Sequence, residues 1–119
     1  MATLRIPSLY AATTSISYAG TATDLTDSTM SWTNTANATG NTTGTFASNL
    51  LVDRNVNSNT LALTNFNLSG AGLPSGAIIN GIQVDVEWNA DNNRVQDSLV
   101  QLTLDGSTGL GNDYATNSN

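Results

Sequence analysis

The chain has 119 residues, enough for one hydrophobic core, and only 10% of them are charged. Nine acidic residues stand against three arginines (Arg5, Arg54 and Arg94) and no lysine, a net charge of −6. Three scattered cations cannot build the clustered basic footprint that nucleic acid or an anionic membrane requires, so neither is an expected partner. With no His and no Cys, the usual acid–base residue, the best nucleophile, disulfides and zinc–thiolate sites are all missing, and neither enzymatic activity nor a cofactor is expected.

Thr, Asn and Ser supply more than a third of the residues and keep the chain soluble in place of charge. That profile suits β-rich proteins whose exposed strands are covered by small polar side chains. Residues 1–30 read as an irregular lead, an extended arm in which Leu4, Arg5, Ile6 and Tyr10 are the candidate docking residues. Residues 3–6 can make a short edge strand stopped by Pro7, and residues 13–18 have strand propensity, ended at Gly20. Such an arm is ordered against a neighbouring subunit or is a frayed terminus; its composition fits both. The opening Met-Ala-Thr-Leu-Arg-Ile-Pro has neither a basic region nor a long apolar run, so a cytoplasmic product without a signal peptide is expected.

Residues 31–119 are expected to form the folded domain. Trp32 anchors its start and precedes a Gly-punctuated polar loop over 33–44. Asn37, Asn41 and Asn67 open glycosylation sequons, which chance explains in a Thr/Asn-rich chain. Residues 60–66 alternate through Leu61 and Leu63, after which the apolar phase slips to Phe66 and Leu68, the mark of a bulge or a strand end.

The strongest pattern is Ile82-Gln83-Val84-Asp85-Val86-Glu87-Trp88. Its alternation puts four apolar side chains on one strand face and an amide with two carboxylates on the other. Burying the four would contribute roughly 6–12 kcal/mol gross at about 1.5–3 kcal/mol each. Asn80-Gly81 just before it is a hairpin signal in isolation. With only Ala77, Ile78 and Ile79 ahead, it reads better as a bulge that re-phases the strand. Residues 97–104 form a second good strand, with Val100, Leu102 and Leu104 on one face, turned by Asp105-Gly106. The expected core is therefore Trp32, Leu61, Leu63, Phe66, Ile82, Val84, Val86, Trp88, Val100, Leu102 and Leu104.

These residues offer material for three kinds of site. Asp85 and Glu87 share a strand face roughly 6.5–7 Å apart, near glycosidase spacing. On a solvated face, however, they gain no separation of pKa values and read as a wet surface. Asp91, Asn93 and Asp97, and then Asp105, Asn112 and Asp113, frame turns that could hold a hard cation, although Asx residues in turns more often bond their own backbone. A glycan site would need an exposed aromatic, and the candidates are Tyr10, Tyr18, Trp32, Phe46, Phe66, Trp88 and Tyr114. Trp88 has core parity, and Trp32 is open between core plug and sugar platform.

Trp32 with Asn34, Ala36, Asn37 and Ala38, the run Thr60-Leu61-Ala62-Leu63-Thr64-Asn65-Phe66, and above all Leu73-Pro74-Ser75-Gly76-Ala77-Ile78-Ile79-Asn80-Gly81-Ile82 resemble a recurrent pattern in structural proteins of tailed bacteriophages. The pattern is similar to β-sandwich modules of tail fibres, virion appendages and capsid-decorating proteins, and it covers about residues 32–113. The resemblance implies an all-β, antiparallel, jelly-roll-like sandwich with no catalytic residues. It also implies a virion part made in the host cytoplasm, whose partners are a tail adaptor or the major capsid protein. Modules of this kind continue with further strands past the position of Asn119, so the expectation is a longer fibre or a sheet completed by neighbours. Homo-oligomerisation, as a trimer, follows from that. The expected role is a tail fibre or appendage, with capsid decoration and a host-glycan-binding adhesin as alternatives.

Overall fold

The computed structural model describes residues 16–41, 44–50, 55–70, 72–78, 82–87 and 96–115. Leu61-Ala62-Leu63-Thr64 alternates as a half-buried strand should and forms β2 (Leu61–Thr64). Its antiparallel partner is β1 (Thr21–Asp24), in the register Thr21 opposite Thr64 and Asp24 opposite Leu61. Opposite residues share a face, so Ala62 lies with Thr23, while Leu61 and Leu63 lie with Asp24 and Ala22. β2 stops where the apolar phase slips: Asn65 adopts a φ of +59°, a left-handed conformation that Asn tolerates better than most residues.

A short 3-10 turn over Thr35–Ala38 packs against β1 and is entered through Asn34, also left-handed at φ 53°. The turn is fastened by the Gly40 N–H, which donates to the Ala19 carbonyl at 3.0 Å. Single bridges tie Met30 to Ser58 in parallel and Thr33 to Ser48 antiparallel. A second 3-10 turn occupies Leu68–Gly70. The other ladder pairs β3 (Leu102–Thr103) with β4 (Gly109–Leu110), Leu102 opposite Leu110. Its loop contains Gly106 at φ +80°, a conformation that L side chains resist.

The jelly-roll-like β-sandwich expected from the sequence is not what forms. The described residues hold two separate two-stranded antiparallel sheets, neither closed nor stacked into a sandwich. The physical reason is the shortage of paired, apolar-faced strand. A sandwich core needs two inner faces of alternating apolar residues packed about 10 Å apart. Here β1 offers one alanine, and β3 and β4 are two residues long. Residues 82–87, the best alternating run, lie in no ladder among the described residues. Among the described residues the buried hydrophobic ones are accordingly Ala19 and Ala62. Of the expected core, Trp32, Leu61, Leu63 and Phe66 are half-buried. Ile82, Val84 and Val86 are 65, 55 and 61% exposed, and Val100, Leu102 and Leu104 are exposed too. Trp88 lies outside the described residues, as do the Asn80-Gly81 bulge and the arm residues Leu4, Arg5, Ile6 and Tyr10.

Candidate functional site

The best-ordered chemistry converges on Asn59, the one buried polar residue among those described, at 3% exposure. It sits just before β2, and the segment that leaves β1 wraps over it. The Asn59 side-chain oxygen accepts from the Ser28 N–H at 2.8 Å, and its amide donates to Asp24 Oδ1 at 2.7 Å. Its backbone N–H donates to the Met30 carbonyl at 2.8 Å, and its carbonyl accepts the Trp32 indole N–H at 2.6 Å. Both the side chain and the backbone of this residue are thus consumed by one neighbouring segment.

Asp24 closes the network. Oδ1 also accepts from the Thr26 N–H at 2.9 Å, and Oδ2 from the Trp32 N–H at 2.9 Å. The Thr26 N–H foremost, with the Asn59 amide and the Trp32 N–H, holds the Asp24 carboxyl below the ordinary aspartate range, against a partial opposing effect of desolvation. Thr26 itself sits at φ 52°, unusual for a β-branched residue. Next to it, Asp27 accepts the Thr60 N–H at 2.7 Å and is lowered chiefly by that bond. Asn49 stitches the same segment from the other side by donating to the Met30 and Ser31 carbonyls at 2.9 and 3.0 Å. Its own side-chain oxygen is buried with no partner.

Two further aspartates act as clips. Asp105 Oδ1 accepts from the Thr108 N–H, the Ser107 N–H and the Thr103 hydroxyl at 2.6, 2.9 and 2.9 Å, shaping the β3–β4 turn. Those donors, Thr108 first, push its carboxyl far below the usual range. Asp113 accepts from the Val100 and Ala115 N–H groups, each at 2.9 Å, and is lowered by them in that order. Asp105 thus makes an Asx turn, and Asp113 ties Ala115 to Val100, 13 positions back; in both, Oδ1 already serves backbone N–H groups. Of the cation candidates, Asp97, Asp105, Asn112 and Asp113 fall among the described residues, while Asp91 and Asn93 do not. No three potential metal ligands of the His, Cys, Asp or Glu kind gather among the described residues.

Trp32, open at the level of sequence between core and platform, is half-buried with its indole N–H committed to Asn59. Tyr18 is 44% exposed and borders a shallow open depression of about 310 Å³ with Ile16, Ser17, Asn67 and Gly70. Asp85 and Glu87 are exposed, and Asp85 is engaged by the Gln83 amide at 3.0 and 3.3 Å. That contact puts Gln83 and Asp85 on one side of the backbone, and the alternation of the sequence assigns Ile82, Val84 and Val86 to the other. The apolar side has no covering strand among the described residues. Sequence reasoning missed Asn59 and Asp24 altogether, because their partners are remote and no local spacing marks them.

Comparison with known proteins gives no match: no family model, no curated protein and no solved structure aligns with the chain. None of them tests the expected likeness to tailed-phage modules, and the β-sandwich part of that expectation is corrected by the two open sheets.

Proposed function

We propose that the chain is a non-enzymatic assembly module, a shaped part whose open strands are completed by another chain. One observation carries the reading. Ile82, Val84 and Val86 are each more than half exposed in a segment whose Gln83 and Asp85 side chains bond to each other. A contiguous apolar strip on an unpaired strand marks an interaction surface, because an isolated subunit with such an edge is prone to pair with others. The polar node around Asn59 supplies rigidity, and its groups are used up holding backbone, which suits a part that docks better than one that reacts.

On the resemblance of residues 73–82, the setting we propose is a tailed-phage particle, as a tail fibre or appendage; capsid decoration and host-glycan binding are its alternatives. Sedimentation velocity over a range of concentrations tests the assembly reading. Oligomers that grow with concentration are expected, and a folded monomer throughout overturns it.

A further inference from the structure

We infer that the partner strand for residues 82–87 is the same segment of a second copy, antiparallel and centred on Val84. This rests on the assembly reading above and makes it specific. In an antiparallel pair, directly opposite residues point to the same face, so only registers that keep parity leave the apolar strip intact. Centring on Val84 sets Ile82 against Val86, Val84 against Val84, and Gln83 against Asp85. The amide that now donates to its own Asp85 then finds the same carboxylate across the two-fold axis.

The competing registers are worse for charge. Centring on Asp85 opposes two carboxylates directly, and parallel in-register pairing stacks Asp85 on Asp85 and Glu87 on Glu87 about 4.8 Å apart. With a net charge of −6 per chain and no lysine, nothing among the described residues offsets that repulsion. Centring on Gln83 avoids it but shortens the overlap of the segment to residues 82–84, leaving Val86 unpaired. Pairing about Val84 also takes up backbone N–H and C=O groups that have no ladder among the described residues. It merges two apolar strips into one six-residue face. A single strand pair is smaller than the roughly 1,200–2,000 Å² of a stable interface, so the association is weak and concentration-dependent unless that merged face is covered in turn.

The absence of cysteine makes the test clean. Opposite Cα atoms lie about 4.5–5.5 Å apart, within the roughly 4.4–6.8 Å that a disulfide spans. Under mild oxidation Val84→Cys is expected to cross-link to itself. Gln83→Cys does not do so alone but does when mixed with Asp85→Cys. Ile78→Cys, at an 85% exposed position outside the pairing, measures random collision. Independently, Val84→Lys sets two ammonium groups face to face and should weaken association at least about tenfold by sedimentation. Cross-linking at Val84 no faster than at Ile78, or association unchanged in Val84→Lys, overturns the self-pairing. If the unmodified chain still forms oligomers, the assembly reading survives with a different surface. If it stays monomeric at every concentration, both fall.

Discussion

Two stretches of the molecule are held by opposite means. Around Asn59, segments far apart in the chain are locked by polar bonds, with almost no apolar side chain fully buried. In residues 82–87 and 96–104 the apolar side chains are plentiful and regularly spaced, yet they face solvent and most of the polar bonds there are local. Hydrogen bonds net only about 0.5–1.5 kcal/mol each, but a buried donor or acceptor left unmade costs about 1–3 kcal/mol. The first stretch is therefore stabilised by having nearly every buried polar group paired, the Asn49 side-chain oxygen being the exception. The second awaits the burial that would make its hydrophobic side chains count. A composition rich in Asn and Thr makes both conditions possible within one chain, since small polar side chains can cap backbone in one place and leave another place uncovered.

That contrast can be broken most decisively at Asn59. Asn59→Leu removes the acceptor for Ser28 and the donor for Asp24 at a buried position. A loss of about 2–4 kcal/mol is expected in urea unfolding. Hydrogen exchange should speed up at Leu25, Ser28 and Thr60 and stay unchanged at Val100 and Tyr114. Uniform acceleration would show that the two stretches are one cooperative unit. Trp32→Phe keeps the ring and deletes the indole donor to Asn59, so about 1–1.5 kcal/mol should be lost in the same assay.

Acid provides a third, more graded probe. Asp24, Asp27, Asp105 and Asp113 all have carboxyls lowered from 3.8 by N–H donors. Their folded pKa values lie below the unfolded ones, so the unfolded chain takes up protons first. Their stabilisation is complete above the unfolded value and drains away as pH falls through and below about 4. Solvent exposure keeps each contribution small. Asp105→Asn retains an acceptor oxygen and should flatten the acid response of the β3–β4 amides while leaving those around Asn59 as they were. The mildest change is Thr26→Asn, which eases the left-handed backbone at φ 52° and should raise stability by about 0.5–1 kcal/mol.

What could be read from the sequence follows the same division. The alternation of Leu61 and Leu63 and the slip near Asn65 coincide with β2 and its end, because both depend on residues within a few positions. Asp105-Gly106 turns the chain for an equally local reason, an Asx carboxylate over a left-handed glycine. β1 was illegible: Thr-Ala-Thr-Asp has one apolar residue, and it becomes a strand through Leu61–Thr64, some forty residues on. The alternation in 82–88 states which side chains share a face and is silent on whether another strand lies beside them. That is how a jelly-roll-like sandwich could be read where two open sheets stand.

The reach of the bonds around Asn59 also sets an order of events. Ser17 meets the Phe66 carbonyl across 49 positions, Asp24 meets Asn59 across 35, and Asp27 meets Thr60 across 33. None of these can close until the ribosome has delivered the second partner, and loop closure must precede any reward from the contact. The amino-terminal half is thus born without a template and waits for residues 57–66 to arrive. Its nascent life is a search across one large loop, made slower by every residue added between the two halves.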